Sequence, residues 1–95
     1  MLALNENIKN LRVAQGLNQV EFAKFLCVTK QCVSNWENDN ILPSIEMLIK
    51  LSKYFNVSTD YLLGLSSKLT INVDGLTENE IAHLKFFIND LKSRK

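Results

Sequence analysis

Apolar and polar positions along the chain alternate with two periods, and the change between them divides the sequence. Leu4, Ile8 and Leu11 recur at helical spacing and predict a first helix over about Asn5–Gln15, closed by Gly16 as a left-handed cap with Leu17 folding back on the helix end. Asn18 with Glu21 forms a capping box for a second helix that carries Phe22, Ala23 and Leu26 on its inner side. Thr29 then stands where a cap opens a third helix, with Val33 and Trp36 on one face. Pro43 and Ser44 open a fourth, whose expected inner positions are Ile45, Leu48, Ile49 and Ser52, widened by Met47, Leu51, Tyr54 and Phe55. Ser58 caps a short fifth helix that ends at Gly64. These five helices predict a compact all-α head over residues 1–66.

Residues 67–95 follow another pattern. Leu69, Ile71 and Val73 alternate with Thr70, Asn72 and Asp74, a strand-like period that one isolated segment cannot sustain, so it reads as an extended linker or as a strand paired with another copy. Thr77 and Glu80 form a second capping box, with Leu76 and Ile81 as its hydrophobic staple. The helix behind it carries Ile81, Leu84, Ile88 and Leu91 at 3-4-3 spacing beside Phe87, and Lys92, Arg94 and Lys95 complement its negative end. An apolar stripe of this kind needs a neighbour, and a dimer face or an intramolecular packing face explains it better than a cofactor site.

The third helix bears the most unusual surface. Opposite Val33 and Trp36 it presents Gln31, Ser34, Asn35 and Asn38, with Lys30 on the edge. Uncharged donors and acceptors on a free helix face suit the reading of base edges in a DNA major groove. Asn and Gln can bond an adenine edge twice, and Lys can reach guanine.

In order and spacing these segments resemble the phage-repressor family of helix-turn-helix regulators, the Xre or Cro/C1 type. The resemblance runs from Arg12-x-x-x-Gly16-Leu17-Asn18-Gln19 through Trp36-Glu37-Asn38 and Pro43-Ser44-Ile45-Glu46-Met47-Leu48 to Phe55-Asn56-Val57-Ser58-Thr59-Asp60-Tyr61-Leu62-Leu63-Gly64, about two thirds of the chain. It implies a five-helix lambda-repressor-like DNA-binding domain whose third helix enters the major groove of a palindromic operator. Lys30, Gln31 and Asn35 are then the expected base contacts. Asn18, Gln19, Thr29, Ser34, Asn38 and Asn40 are the expected backbone contacts, Gln19 matching the family's phosphate-contacting glutamine at a helix N-terminus. Arg12 and Glu37 match positions that the family joins in a partly buried ion pair. The implied function is a dimeric repressor joined through Leu76, Ile81, Leu84, Phe87, Ile88 and Leu91. The other reading from the same residues is an antitoxin or regulator whose tail binds a second protein, an antirepressor or a toxin, with DNA binding secondary.

Charge changes this picture. The 95 residues carry a net +1, and residues 1–66 hold six basic and six acidic side chains, so the head has no formal net charge. Phosphate affinity draws on Lys and Arg, so non-specific binding is expected to be weak and useful affinity to need two joined half-sites. The loop after the third helix, where the family often places basic residues, is Asp39-Asn40-Ile41-Leu42.

Other chemistry finds little support. Cys27 and Cys32 are five apart, without a second pair or a nearby histidine, which argues against structural zinc and a disulfide framework. Cys27 occupies the turn position where the family prefers glycine; inert thiols are expected rather than a redox switch. His83 reads as a solvated side chain on a helix flank. No nucleophile–base set, metal-ligand cluster or glycine-rich phosphate loop is present, so neither an enzyme nor a cofactor is expected. No segment approaches membrane-spanning length, and a cytoplasmic protein is expected.

Overall fold

The computed structural model describes residues 3–68 and 73–93. Among them the chain is all-α: α1 spans Leu4–Ala14, α2 Gln19–Leu26, α3 Lys30–Glu37, α4 Ile45–Phe55, α5 Thr59–Leu63 and α6 Glu78–Ser93. The expected strand over residues 69–73 falls almost wholly outside the described residues, and Val73 alone has irregular backbone.

Short polar side chains start α2 to α5 where the sequence places them, whereas α1 begins after Ala3 without a side-chain cap. The Asn18 Oδ1 accepts the Glu21 N–H at 2.8 Å while Glu21 accepts the Asn18 N–H at 3.0 Å. Thr29, Ser44 and Ser58 each accept the N–H three residues on, at 3.0–3.1 Å. Such a cap contributes about 1 kcal/mol by satisfying a donor that the helix leaves open.

The ends of α1 to α5 share one device. After each, a residue with positive φ turns the chain, and two N–H groups fold back onto carbonyls of the last turn. At α1 these are Gly16 to Val13 at 2.9 Å and Leu17 to Arg12 at 3.3 Å. Cys27–Val28, Asp39–Asn40, Asn56–Val57 and Gly64–Leu65 repeat the pattern. At Gly64 a side chain is doubly disfavoured, because φ is +78° and a Cβ would lie 3.0 Å from the Ala3 nitrogen. Asn and Asp tolerate the left-handed region because their side chains can bond locally. Cys27, at φ 60°, has no such help and costs on the order of 1 kcal/mol there.

The core joins all five of these helices. Ile8, Phe22, Leu26, Val33, Leu51 and Leu62 are essentially inaccessible, and Leu4, Ala23, Trp36 and Phe55 complete the cluster. Phe22 stacks on Phe55 with centroids 5.4 Å apart, and Tyr54 closes against both rings. Asn7 of α1 donates from Nδ2 to the carbonyls of Tyr61 and Leu62 at 3.0 and 3.1 Å, which holds α5 against α1.

The α4 stripe differs from expectation. Ile45 is 78% exposed and Ile49 44%, whereas Leu51 and Phe55 are buried and Met47, Leu48 and Tyr54 are partly buried. Two apolar arcs compete on this helix, and the one carrying Leu51, Tyr54 and Phe55 faces inward because it completes the aromatic cluster around Phe22. The Lys50 ammonium donates to the Leu26 carbonyl at the C-terminal end of α2, where a cation is favoured.

No residue of α6 is buried. Its start is nonetheless ordered locally: Thr77 N–H donates to Glu80 at 2.8 Å and Glu80 N–H to the Thr77 hydroxyl at 3.1 Å.

Candidate nucleic-acid interface

The surface centres on α3, which is held from behind and free in front. Val33 and Trp36 anchor its inner face in the core. At its C-terminal end Glu37 is buried and paired with Arg12 of α1 through two parallel bonds. Arg12 Nε donates to Oε2 at 2.7 Å and Nη2 to Oε1 at 2.9 Å. A bidentate pair of this geometry fixes both planes and is stronger than a point contact. Arg12 also donates from Nη1 to the Leu17 carbonyl at 2.7 Å. One guanidinium therefore connects α1, the loop before α2, and α3. Hydrogen bonding and the charge of Glu37 raise the Arg12 guanidinium above its ordinary range, against the opposing effect of burial.

Gln19 joins this network. Its Nε2 donates to Glu37 Oε1 at 3.1 Å, so the side chain at the start of α2 is oriented by the residue that ends α3. The family resemblance places Arg12 beside Glu37 but gives no sign of the Gln19 contact, which depends on how α2 crosses α3.

On the outer face, Lys30, Gln31 and Asn38 are exposed, and Ser34 and Asn35 are partly so. Two bonds run along the helix at four-residue spacing. Gln31 Nε2 donates to Asn35 Oδ1 at 3.1 Å, and Asn38 Nδ2 donates to Ser34 Oγ at 3.2 Å. The Gln31–Asn35 bond leaves Gln31 its carbonyl oxygen and one amide hydrogen, the two groups that an adenine edge requires. Thr29 and Asn18 serve as caps, and Asn40 returns its N–H to the Asn35 carbonyl at 2.9 Å, closing the C-terminal end. Asp39 supplies the left-handed residue of that turn, with φ 59°.

Elsewhere the candidate chemistry is sparse. Cys27 is exposed and Cys32 partly buried, both as free thiols. His83 is exposed on α6. Among the described residues no cluster of metal-ligating side chains occurs and no helix is long and apolar enough to cross a membrane.

Comparison with known proteins agrees with this geometry. A helix-turn-helix family model matches residues 8–62. The HTH-type transcriptional regulator ImmR of Bacillus subtilis is 38% identical over 98 residues, covering 94% of this chain and 77% of that protein. The HTH-type transcriptional activator BcrR of Enterococcus faecalis is 33% identical over 70 residues, 74% of this chain and 34% of the longer relative. A transcriptional regulator from Listeria innocua superposes with a TM-score of 0.65 at 25% identity, covering 98% of this chain and 95% of that one. That family consists of DNA-binding regulators rather than enzymes. With the family match spanning more than half of its length, the chain belongs to the helix-turn-helix transcriptional regulators of Xre and Cro/C1 type.

Proposed function

We propose that the protein is a dimeric, cytoplasmic repressor that places α3 in the major groove of a palindromic operator. The observation that carries this reading is the outer face of α3. Along it Gln31 bonds Asn35 and Asn38 bonds Ser34, and the helix beneath them is anchored by Val33, Trp36 and the Arg12–Glu37 pair. Lys30, Gln31 and Asn35 contact bases. Asn18, Gln19, Thr29, Ser34, Asn38 and Asn40 contact the sugar-phosphate backbone, Gln19 from the N-terminus of α2, where backbone N–H groups favour an anion.

The chain divides into a DNA-binding head, residues 1–66, and a tail, residues 67–95, that joins two copies through Leu76, Ile81, Leu84, Phe87, Ile88 and Leu91. Support for the tail's role is its unburied apolar side, on which Leu84, Phe87, Ile88 and Leu91 are all exposed. Support for a dimer also comes from the neutral head, since one copy has little electrostatic hold on phosphate. Two α3 helices about 34 Å apart would meet successive turns of one DNA face. Repression follows from occupancy of the operator alone.

Selection of bound sequences from a random duplex pool, at a fixed and stated salt concentration, tests the proposal. An enriched palindrome with half-sites one helical turn apart is the expected result. Enrichment of a single half-site, or none, would contradict it.

A further inference from the structure

Glu37 is out of reach of DNA, since its side chain is only 2% exposed, yet one of its bonds leads to the surface. Arg12 takes one position on each carboxylate oxygen, and Gln19 Nε2 takes a second on Oε1 at 3.1 Å. That contact decides which way the Gln19 amide is turned. An ionised carboxylate accepts and cannot donate, so the nitrogen of Gln19 must lie toward Glu37. One amide hydrogen is then engaged and the other is left over.

Gln19 is also the first residue of α2, and its main-chain N–H has no acceptor within the helix. The Asn18 cap does not supply one, because its Oδ1 takes the Glu21 N–H. One partly exposed residue therefore offers two donors, a main-chain N–H and the second amide hydrogen. A glutamine free to rotate loses that freedom when it grips a phosphate, which weakens the grip. Here the folded protein has already fixed the amide. The carboxylate that fixes it is itself held in plane by the two parallel bonds from Arg12.

We propose that Glu37 is a positioning residue for DNA binding: its carboxylate holds the Gln19 amide so that the second amide hydrogen and the Gln19 main-chain N–H meet one backbone phosphate. The proposal rests on the reading that Gln19 contacts the sugar-phosphate backbone, and it adds what aims that contact. Because Glu37 also ends α3, the same side chain couples the seating of the reading helix to the phosphate grip of α2.

The test compares Gln19→Ala in two backgrounds of the full-length chain, by fluorescence anisotropy on a mixed-sequence duplex at low, fixed salt. In the parent chain Gln19→Ala is expected to weaken binding roughly two- to tenfold. The second background carries Arg12→Met and Glu37→Met together. Exchanging both partners of a buried pair for apolar side chains is often neutral or stabilising, and it removes one charge of each sign, so the net charge is unchanged. There Gln19 has lost its holder, and Gln19→Ala is expected to change affinity by less than about twofold. An equal loss in both backgrounds overturns the proposal and leaves the phosphate contact of Gln19 standing. No loss in the parent chain overturns the contact itself, and the proposal with it. Hydrogen exchange of the side-chain amides, followed by NMR in the DNA-free parent chain, needs no variant to fold. The Gln19 amide is expected to exchange more slowly than that of exposed Gln15, and equal rates would overturn the proposal.

Discussion

Helices α2 and α6 begin with the same device and meet different fates. Both open on a reciprocal capping box, Asn18 with Glu21 and Thr77 with Glu80, at closely similar distances. In α2 the side chains that follow, Phe22, Ala23 and Leu26, are buried, with α3 and the α4 rings of Tyr54 and Phe55 packed against the helix. In α6 the corresponding apolar side chains remain in contact with water. A cap specifies where a helix starts; it does not supply the packing that most helices in proteins need for stability. The same sequence logic therefore yields a packed element in the head and, in the tail, a helix whose apolar side is left unburied among the described residues.

The largest test of this contrast is truncation of one aromatic in each region. Phe22→Ala removes a fully buried ring from the centre of the aromatic cluster and is expected to lower head stability by about 3–5 kcal/mol. Phe87→Ala should leave thermal unfolding of the head unchanged and weaken self-association instead. Equal losses of melting temperature would mean that α6 belongs to the same cooperative unit.

Next in size is the ion pair. Glu37→Ala leaves the Arg12 guanidinium buried without its counter-charge and also releases Gln19, at an expected cost of about 3 kcal/mol in thermal unfolding. The neighbouring control is Asp39→Asn rather than Asp39→Ala, because residue 39 has φ 59° and alanine there adds backbone strain. Asp39→Asn should be close to neutral. The raised Arg12 pKa means that its contribution is fully present below the ordinary guanidinium range and is lost only at still higher pH. Its charge therefore does not switch between about pH 6 and pH 9, and titration of Arg12 should add no pH dependence to stability over that interval.

On the DNA side, Gln31→Ala is expected to cost about 1–3 kcal/mol on the selected operator and to relax preference at one base pair per half-site. Gln19→Ala should weaken binding to all sequences alike. Unchanged affinity and preference with Gln31→Ala would remove α3 as the reader.

The smallest effect concerns Cys27. Glycine there relieves a side chain held in the left-handed region, so Cys27→Gly should stabilise the head by up to about 1 kcal/mol, measured by urea unfolding.

Local signals were the legible part of the sequence. The starts of α2 to α6 were readable from Asn18, Thr29, Ser44, Ser58 and Thr77, because a capping side chain bonds a donor only three residues away; α1 begins without a side-chain cap. The glycine turns at Gly16 and Gly64 were readable for the same reason. Arg12 and Glu37 could be paired only through the family resemblance. What the sequence concealed depends on how helices meet. The rotation of α4, which exposes Ile45 and Ile49, is decided by the fit of Leu51, Tyr54 and Phe55 to Phe22. The links from Asn7 to α5 and from Gln19 to Glu37 join residues remote in the chain, and no spacing announces them.

The proposed dependence of DNA reading on two joined copies follows from the neutral charge of the head. Its most direct test is the stoichiometry and affinity of the full-length protein on fluorescent duplexes of the selected operator, measured by sedimentation velocity. Two chains per operator, with binding to a single half-site weaker by at least about a hundredfold, is the predicted result. One chain per duplex, with equal affinity for the operator and its half-site, would contradict it.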